Sequence, residues 1–209
     1  MRPSRELKFI IDLPRKGVLK VNLPKTYRLL EEFKKRWKRL AVQALAKDGK
    51  NASGSLSRGI NPTIFREGSK FGVAMDFPSA VDYWDFVDQG VQGKKDTSKA
   101  PDSPYRFGSG TGKPGGLRSS IDKWVIRKGL DNVRNAKGQF ISRKSMVSAI
   151  SRKIYLYGIK PTPFLSDTLE DLFKRYFTRI EAAIVDDIRD SMQDAQRDEG
   201  LYFSVTYTM

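Results

Sequence analysis

Two stretches of this chain repeat apolar residues every three or four positions, and they lie far apart in the sequence. After Pro24 and Thr26, the residues Leu30, Phe33, Trp37, Leu40, Ala41, Ala44 and Leu45 form one such stripe, with Arg28, Glu31, Lys35, Arg36 and Lys38 opposite. The spacing predicts a long amphipathic helix that stops near Gly49. The second stripe runs through Leu165, Leu169, Leu172, Phe173, Tyr176, Ile180, Ile184, Ile188, Met192 and Ala195. It predicts a helix of about eight turns, ended by Gly200, with Asp167 and Glu170 set as a capping box.

Shorter patterns fill the rest. Residues 7–13 and 18–23 flank a Pro- and Gly-bearing turn and predict a hairpin, and 62–77 predict a second one around Gly68-Ser69. Residues 201–208 alternate as a half-buried strand. Segment 79–93 is rich in aromatics and fits either a short helix or a bent strand. Residues 116–130 predict a short helix, and 142–158 another with Met146, Ile150, Ile154 and Leu156 inward, closed by Gly158. Between these, 92–116 is dominated by Gly, Pro and Ser and is expected to be a long loop. The fold expected is α+β: two long helices packed on a mostly antiparallel sheet, in one domain. Its core would be 1–91 and 158–209, with a basic loop-and-helix insertion at 92–157.

Composition narrows the chemistry. The 209 residues include no Cys and no His, which removes disulfides, thiolate metal sites, cysteine nucleophiles and every imidazole base. No cofactor or metal is expected. No apolar run approaches the roughly 18 residues of a membrane span, and the N-terminus lacks the apolar core of a signal peptide, so a soluble intracellular product is expected. Lys and Arg number 39 against 24 Asp and Glu, a net +15, which favours nucleic acid or an acidic partner surface.

Three motifs invite sharper readings. Residues 108–116, GSGTGKPGG, resemble a phosphate-binding loop, but the spacing is one residue short. Pro114 also stands where that loop needs a hydroxyl, so a flexible tether is the better description. Asp76, Asp82, Asp85 and Asp88 form a carboxylate cluster that a metal-dependent nuclease would need, although such a set more often edges a packed element. Asp186, Asp187 and Asp190 fit the polar face of the last helix. The insertion offers Lys94, Lys95, Lys99, Arg106, Lys113, Arg118, Lys123, Arg127, Lys128, Arg143 and Lys144 as candidate contacts to DNA or a protein partner.

The order of three short motifs is similar to that of the tail-component, or tail-completion, proteins of tailed bacteriophages. Gly54, Leu56 and Ile60 stand at the markers of the loop after the first helix. Phe86, Asp88 and Gly90 stand where an aromatic, an acid and a glycine recur. Pro161, Pro163, Phe164 and Leu165 match the Pro-x-Pro-Phe-Leu elbow that opens the last helix. The chain departs in having Ser53 in place of Thr before Gly54, Asp88-Gln-Gly in place of an acid-x-Gly-Thr pattern, and a longer insertion. The resemblance implies a non-enzymatic virion protein of the neck, made in the host cytoplasm and forming a hexameric or dodecameric ring. Its neighbours would be portal or connector proteins, tail proteins, and genomic DNA in the channel. A basic nucleic-acid-binding module is the alternative, followed by the nuclease.

Overall fold

The computed structural model describes residues 7–12, 22–49, 53–68, 70–77, 83–109, 116–130, 133–134 and 136–199. In chain order these form β1 (Leu7–Asp12), α1 (Pro24–Lys47), α2 (Ser55–Gly59), β2 (Asn61–Glu67), β3 (Lys70–Asp76), α3 (Trp84–Gln89), α4 (Gly116–Arg127), α5 (Arg143–Tyr157) and α6 (Ser166–Glu199). The fold is α+β, as the patterning requires. The chain separates into two compact units. The first is Met1–Arg39, Asn61–Asp76 and Leu169–Met209, and the second is Leu40–Ile60 and Phe77–Thr168. Among the described residues, no helix is long and apolar enough to cross a membrane.

In the first unit the sheet order is β1-β3-β2, antiparallel throughout, with Leu7 opposite Met75 and Asn61 opposite Asp76. The two-residue connection between β2 and β3 places Gly68 at φ +62°, a left-handed conformation that Gly adopts at no steric cost. Being central, β3 is buried along its whole middle, Phe71 to Met75, rather than alternating. β1 pairs with β3 of the second hairpin. The expected partner strand at 18–23 lies mostly outside the described residues, and its last two members, Asn22 and Leu23, are not in a strand. The expected strand at 201–208 lies outside them as well.

The long helices follow their stripes with two informative differences. On α1 the fully buried positions are Thr26, Leu30, Phe33, Trp37, Ala41 and Leu45, every third or fourth residue. Phe33 meets Tyr176 of α6 edge-on, with ring centroids 5.6 Å apart. The α6 stripe is buried at Leu172, Tyr176, Ile180 and Ala183, but its next member is Asp187. Met192, predicted inward, is exposed. Asp187 is therefore not part of the solvated face. Its carboxylate accepts hydrogen bonds from Lys25 N (3.1 Å), Thr26 N (2.8 Å) and Thr26 Oγ1 (2.7 Å). Those are first-turn donors of α1 that have no partner within their own helix. An exposed ion pair between Lys25 and Asp190 flanks the same end.

In the second unit, α4 and α5 form an antiparallel helical hairpin. Arg118 Nη2 donates to Ser148 Oγ at 2.8 Å, and Arg143 Nε pairs with Asp122 at 3.1 Å. Ser142 caps α5 by accepting from Ser145 N, and Gly158 closes it at φ +75° by donating to Ile154 O. The α5 residues that are buried are Val147 and Ser151, with Met146, Ile150, Ile154 and Leu156 only half-buried. The inward face is thus turned from the predicted one, because Val147 packs in the hairpin with Val125 also buried. Segment 79–93, of open type in the sequence, contains the single-turn helix α3.

Candidate functional site

The elbow 159–165 and the segment 85–93 are separated by about 70 residues, and the fold brings them together. Val91 and Ile159 exchange backbone hydrogen bonds, with N···O distances of 3.0 and 2.8 Å. Thr162 N donates to Val87 O at 2.9 Å. Pro161 and Pro163 remove two donors from the elbow, and the restriction each places on its predecessor keeps Lys160 and Thr162 extended. An extended strand with few free donors is what a short antiparallel bridge requires. Phe164 and Leu165 then turn inward and are fully buried.

Asp88 holds the next step. Its Oδ1 accepts from Leu165 N at 2.8 Å, and its Oδ2 accepts from Ser166 Oγ at 2.9 Å. The cap of α6 is therefore a carboxylate 77 positions away, in place of the Asp167–Glu170 box that the local sequence suggests. Asp88 is 4% exposed. Burial pushes its carboxyl above the ordinary value, against the hydrogen bonds from Leu165 and Ser166, which pull it down.

Three glycines make the close approach. Gly90 has φ +71°, and a Cβ there would sit 2.7 Å from both Ile159 O and Pro161 N. At Gly93 an added Cβ would collide with Leu156 O, and at Gly158 it would collide with Val91 O. Backbone lies against backbone with no space for a side chain. Ser103 Oγ donates to Gly90 O at 2.8 Å, and Gln92 Nε2 donates to the carbonyls of Pro101 and Ser103. The stretch 92–109 is a loop, as expected, and is tied down by these hydrogen bonds, with Ala100 and Ser103 buried. The Gly-rich residues 110–115, Lys113 among them, lie outside the described residues.

The carboxylates expected to cluster have separate tasks. Asp76 is exposed and accepts from Thr63 Oγ1 at 2.6 Å. Asp85 accepts from Tyr105 OH at 2.5 Å, while the Tyr105 ring meets Phe86 edge-on. Asp88 is the buried cap just described, not a solvated edge. Asp82 lies outside the described residues. Among the described residues no group of three His, Cys, Asp or Glu side chains is placed to hold a metal ion.

Of the motif residues, Gly54 is left-handed at φ +68° immediately before α2, and Leu56 and Ile60 are buried. All ten, from Gly54 to Leu165, fall in the second unit. Seven of them, Phe86, Asp88, Gly90, Pro161, Pro163, Phe164 and Leu165, belong to the junction. Gly93, Ser103 and Thr162 complete it and carried no signal beyond residue type, and Gly158, read in the sequence only as the end of α5, belongs to it as well. The basic candidates Lys94, Lys95, Lys99, Arg106, Arg118, Lys123, Arg127, Lys128, Arg143 and Lys144 are all exposed. Arg106 reaches Lys94 O at 3.4 Å, and Lys94 Nζ lies 5.8 Å from the Tyr155 ring centroid. No family model, curated protein or solved structure matches the chain.

Proposed function

We propose that this protein is a structural component of a tailed-bacteriophage virion, a ring-forming connector at the neck of the tail-completion type. The observation that supports the reading is the junction. The two motif segments that carry the resemblance are distant in sequence and serve one physical purpose in space. The acid of the first caps the helix opened by the second, and the glycine of the first makes room for the proline of the second. A motif pair with that purpose fixes the direction of a helix in every copy of the protein, which a closed ring demands of each subunit.

In this role the chain performs no chemistry and acts by shape. Its neighbours would be further copies of itself, portal-side connectors and tail proteins. Electron microscopy and native mass spectrometry of the purified protein, alone and mixed with tailed-phage portal and tail proteins, test the proposal. Closed rings of six or twelve copies are expected. A chain that stays monomeric in every mixture overturns it.

A further inference from the structure

The positive charge of this protein is concentrated in one part of the chain. Residues 92–157 carry 15 Lys and Arg against 4 Asp and Glu, so these 66 residues hold +11 of the net +15. Within them the α4–α5 hairpin and its tip, 116–157, have only two acids. One, Asp122, is already paired with Arg143. The other, Asp131, lies outside the described residues.

The cations of the hairpin divide by task. Arg118 and Arg143 staple the two helices to each other. Lys123, Arg127 and Lys128 along α4 and just past its end, with Lys144, Arg152 and Lys153 on α5, are exposed, and their side chains make no hydrogen bond or ion pair with any described residue. Lys123 and Arg127 stand one turn apart. Arg152 and Lys153 line an open groove of about 600 Å³ beside Ser145, Ser148, Ala149 and Tyr157, and Lys144 lines a second of about 580 Å³. At the tip, Arg134 bridges to Phe140 as a short antiparallel pair. Its guanidinium lies 4.0 Å from the Phe140 ring centroid, with that ring 65% exposed.

We propose that the α4–α5 hairpin binds the phosphodiester backbone of nucleic acid, without reading base sequence. The hairpin and its tip expose Ile126, Val133, Phe140 and Tyr157, but the unpaired cations outnumber them, so a phosphate backbone fits this surface better than a protein partner does. Protein–protein interfaces are built around an apolar centre depleted of Lys, whereas protein–DNA interfaces are polar, wet and strongly positive. Six unpaired cations with no unpaired acid among the described residues of the hairpin match a partner that is negative along its whole length. The dimensions agree: α5 is about 22 Å long, and that length of duplex presents about 13 phosphates on its two strands. None of the six is held in place by a hydrogen bond or ion pair to a described neighbour, which fits adaptable contact with phosphates rather than the fixed bidentate geometry with which Arg reads guanine. This inference does not rest on the neck reading, since ring formation and DNA binding are separate measurements.

Fluorescence anisotropy of the full chain with a duplex of about 30 base pairs and arbitrary sequence, from about 50 to 200 mM salt, is the test. Two quadruple variants remove equal charge: K123Q/R127Q/R152Q/K153Q on the hairpin, and K35Q/R36Q/K38Q/R39Q on the exposed face of α1. The hairpin variant is expected to weaken binding at least about tenfold at about 100 mM salt. It should also flatten the slope of log K against log salt by about 3.6, or about 0.9 for each phosphate that is no longer neutralised. The α1 variant should stay within about threefold of the parent. If the hairpin quadruple loses helicity by circular dichroism, the pairs K123Q/R127Q and R152Q/K153Q are each expected to flatten the slope by about 1.8. Equal weakening in both quadruple variants, absence of DNA binding, or displacement of the duplex by polyglutamate as readily as by unlabelled duplex of equal charge would each overturn the proposal.

Discussion

Replacing Asp88 by Ala removes the acceptor from the first turn of α6. Leu165 N, buried and 2.8 Å from Oδ1, loses its partner, and so does Ser166 Oγ. An unpaired buried amide costs about 1–3 kcal/mol, and loss of a helix cap costs about 0.5–2 kcal/mol; the two overlap, because the amide is one of the capped donors. Removing the carboxylate also relieves its desolvation, the larger influence on Asp88 and the reason its carboxyl titrates above the ordinary value. The net expected loss is about 2 kcal/mol, or about 4–8 °C in Tm for a chain of this size. Asp88→Asn should stay within about 1 kcal/mol of the parent, because the amide oxygen still accepts from Leu165 N while the buried charge is gone. The pH dependence has a definite sign. A carboxyl whose folded pKa is raised binds its proton more tightly in the native state than in the unfolded chain. Its stabilising contribution is therefore full below the ordinary carboxyl pKa near 3.8 and declines as pH rises through the raised value. Urea unfolding of parent, Asp88→Ala and Asp88→Asn between about pH 3.5 and 7 measures all three effects. The reasoning fails if Asp88→Ala unfolds within about 0.5 kcal/mol of the parent. It fails equally if the parent gains on Asp88→Asn as pH rises.

Further outcomes follow from the same geometry. Asp187→Ala takes away the acceptor of three hydrogen bonds at the start of α1 and is expected to cost about 2–4 kcal/mol, read by chemical denaturation, with Asp187→Asn much milder. Gly93→Ala forces a Cβ against Leu156 O and should lower Tm or abolish soluble expression. Gly116→Ala at the open start of α4 should leave Tm unchanged or raise it slightly. Trp37→Ala, at a fully buried position on the α1 stripe, should cost about 3–5 kcal/mol in the same urea titration, whereas Met192→Ala on α6 should stay within about 1 kcal/mol.

The amino-acid order alone determined the elements whose signal repeats within a few residues. The α1 and α6 stripes, the Gly68 turn between β2 and β3, the short α4, and the glycine that ends α5 are all local. Periodicity and turn chemistry act over one or two turns of chain, so they can be read without knowing what lies across the core. The same locality explains where the folded chain departs from its patterning. Asp187 stands in the buried stripe of α6 because it serves the N-terminus of α1, 161 positions away, and no pattern within α6 announces that. The inward face of α5 was set by the neighbour it meets, not by its own most apolar side. The stretch 92–109 is a loop by composition, but which neighbours Ser103 and Gln92 tie it to is not written in it.

The junction shows the division most sharply. The residue types of both motifs, and the stiffness of a Pro-x-Pro elbow, are written in the chain. That Asp88 is the partner of Leu165, and that Gly90, Gly93 and Gly158 are glycine because backbones touch there, was decided only by the tertiary structure. Hydrogen bonds and steric exclusion act over about 3 Å of space, whatever the sequence separation, and only the folded chain places residues 88 and 165 that close.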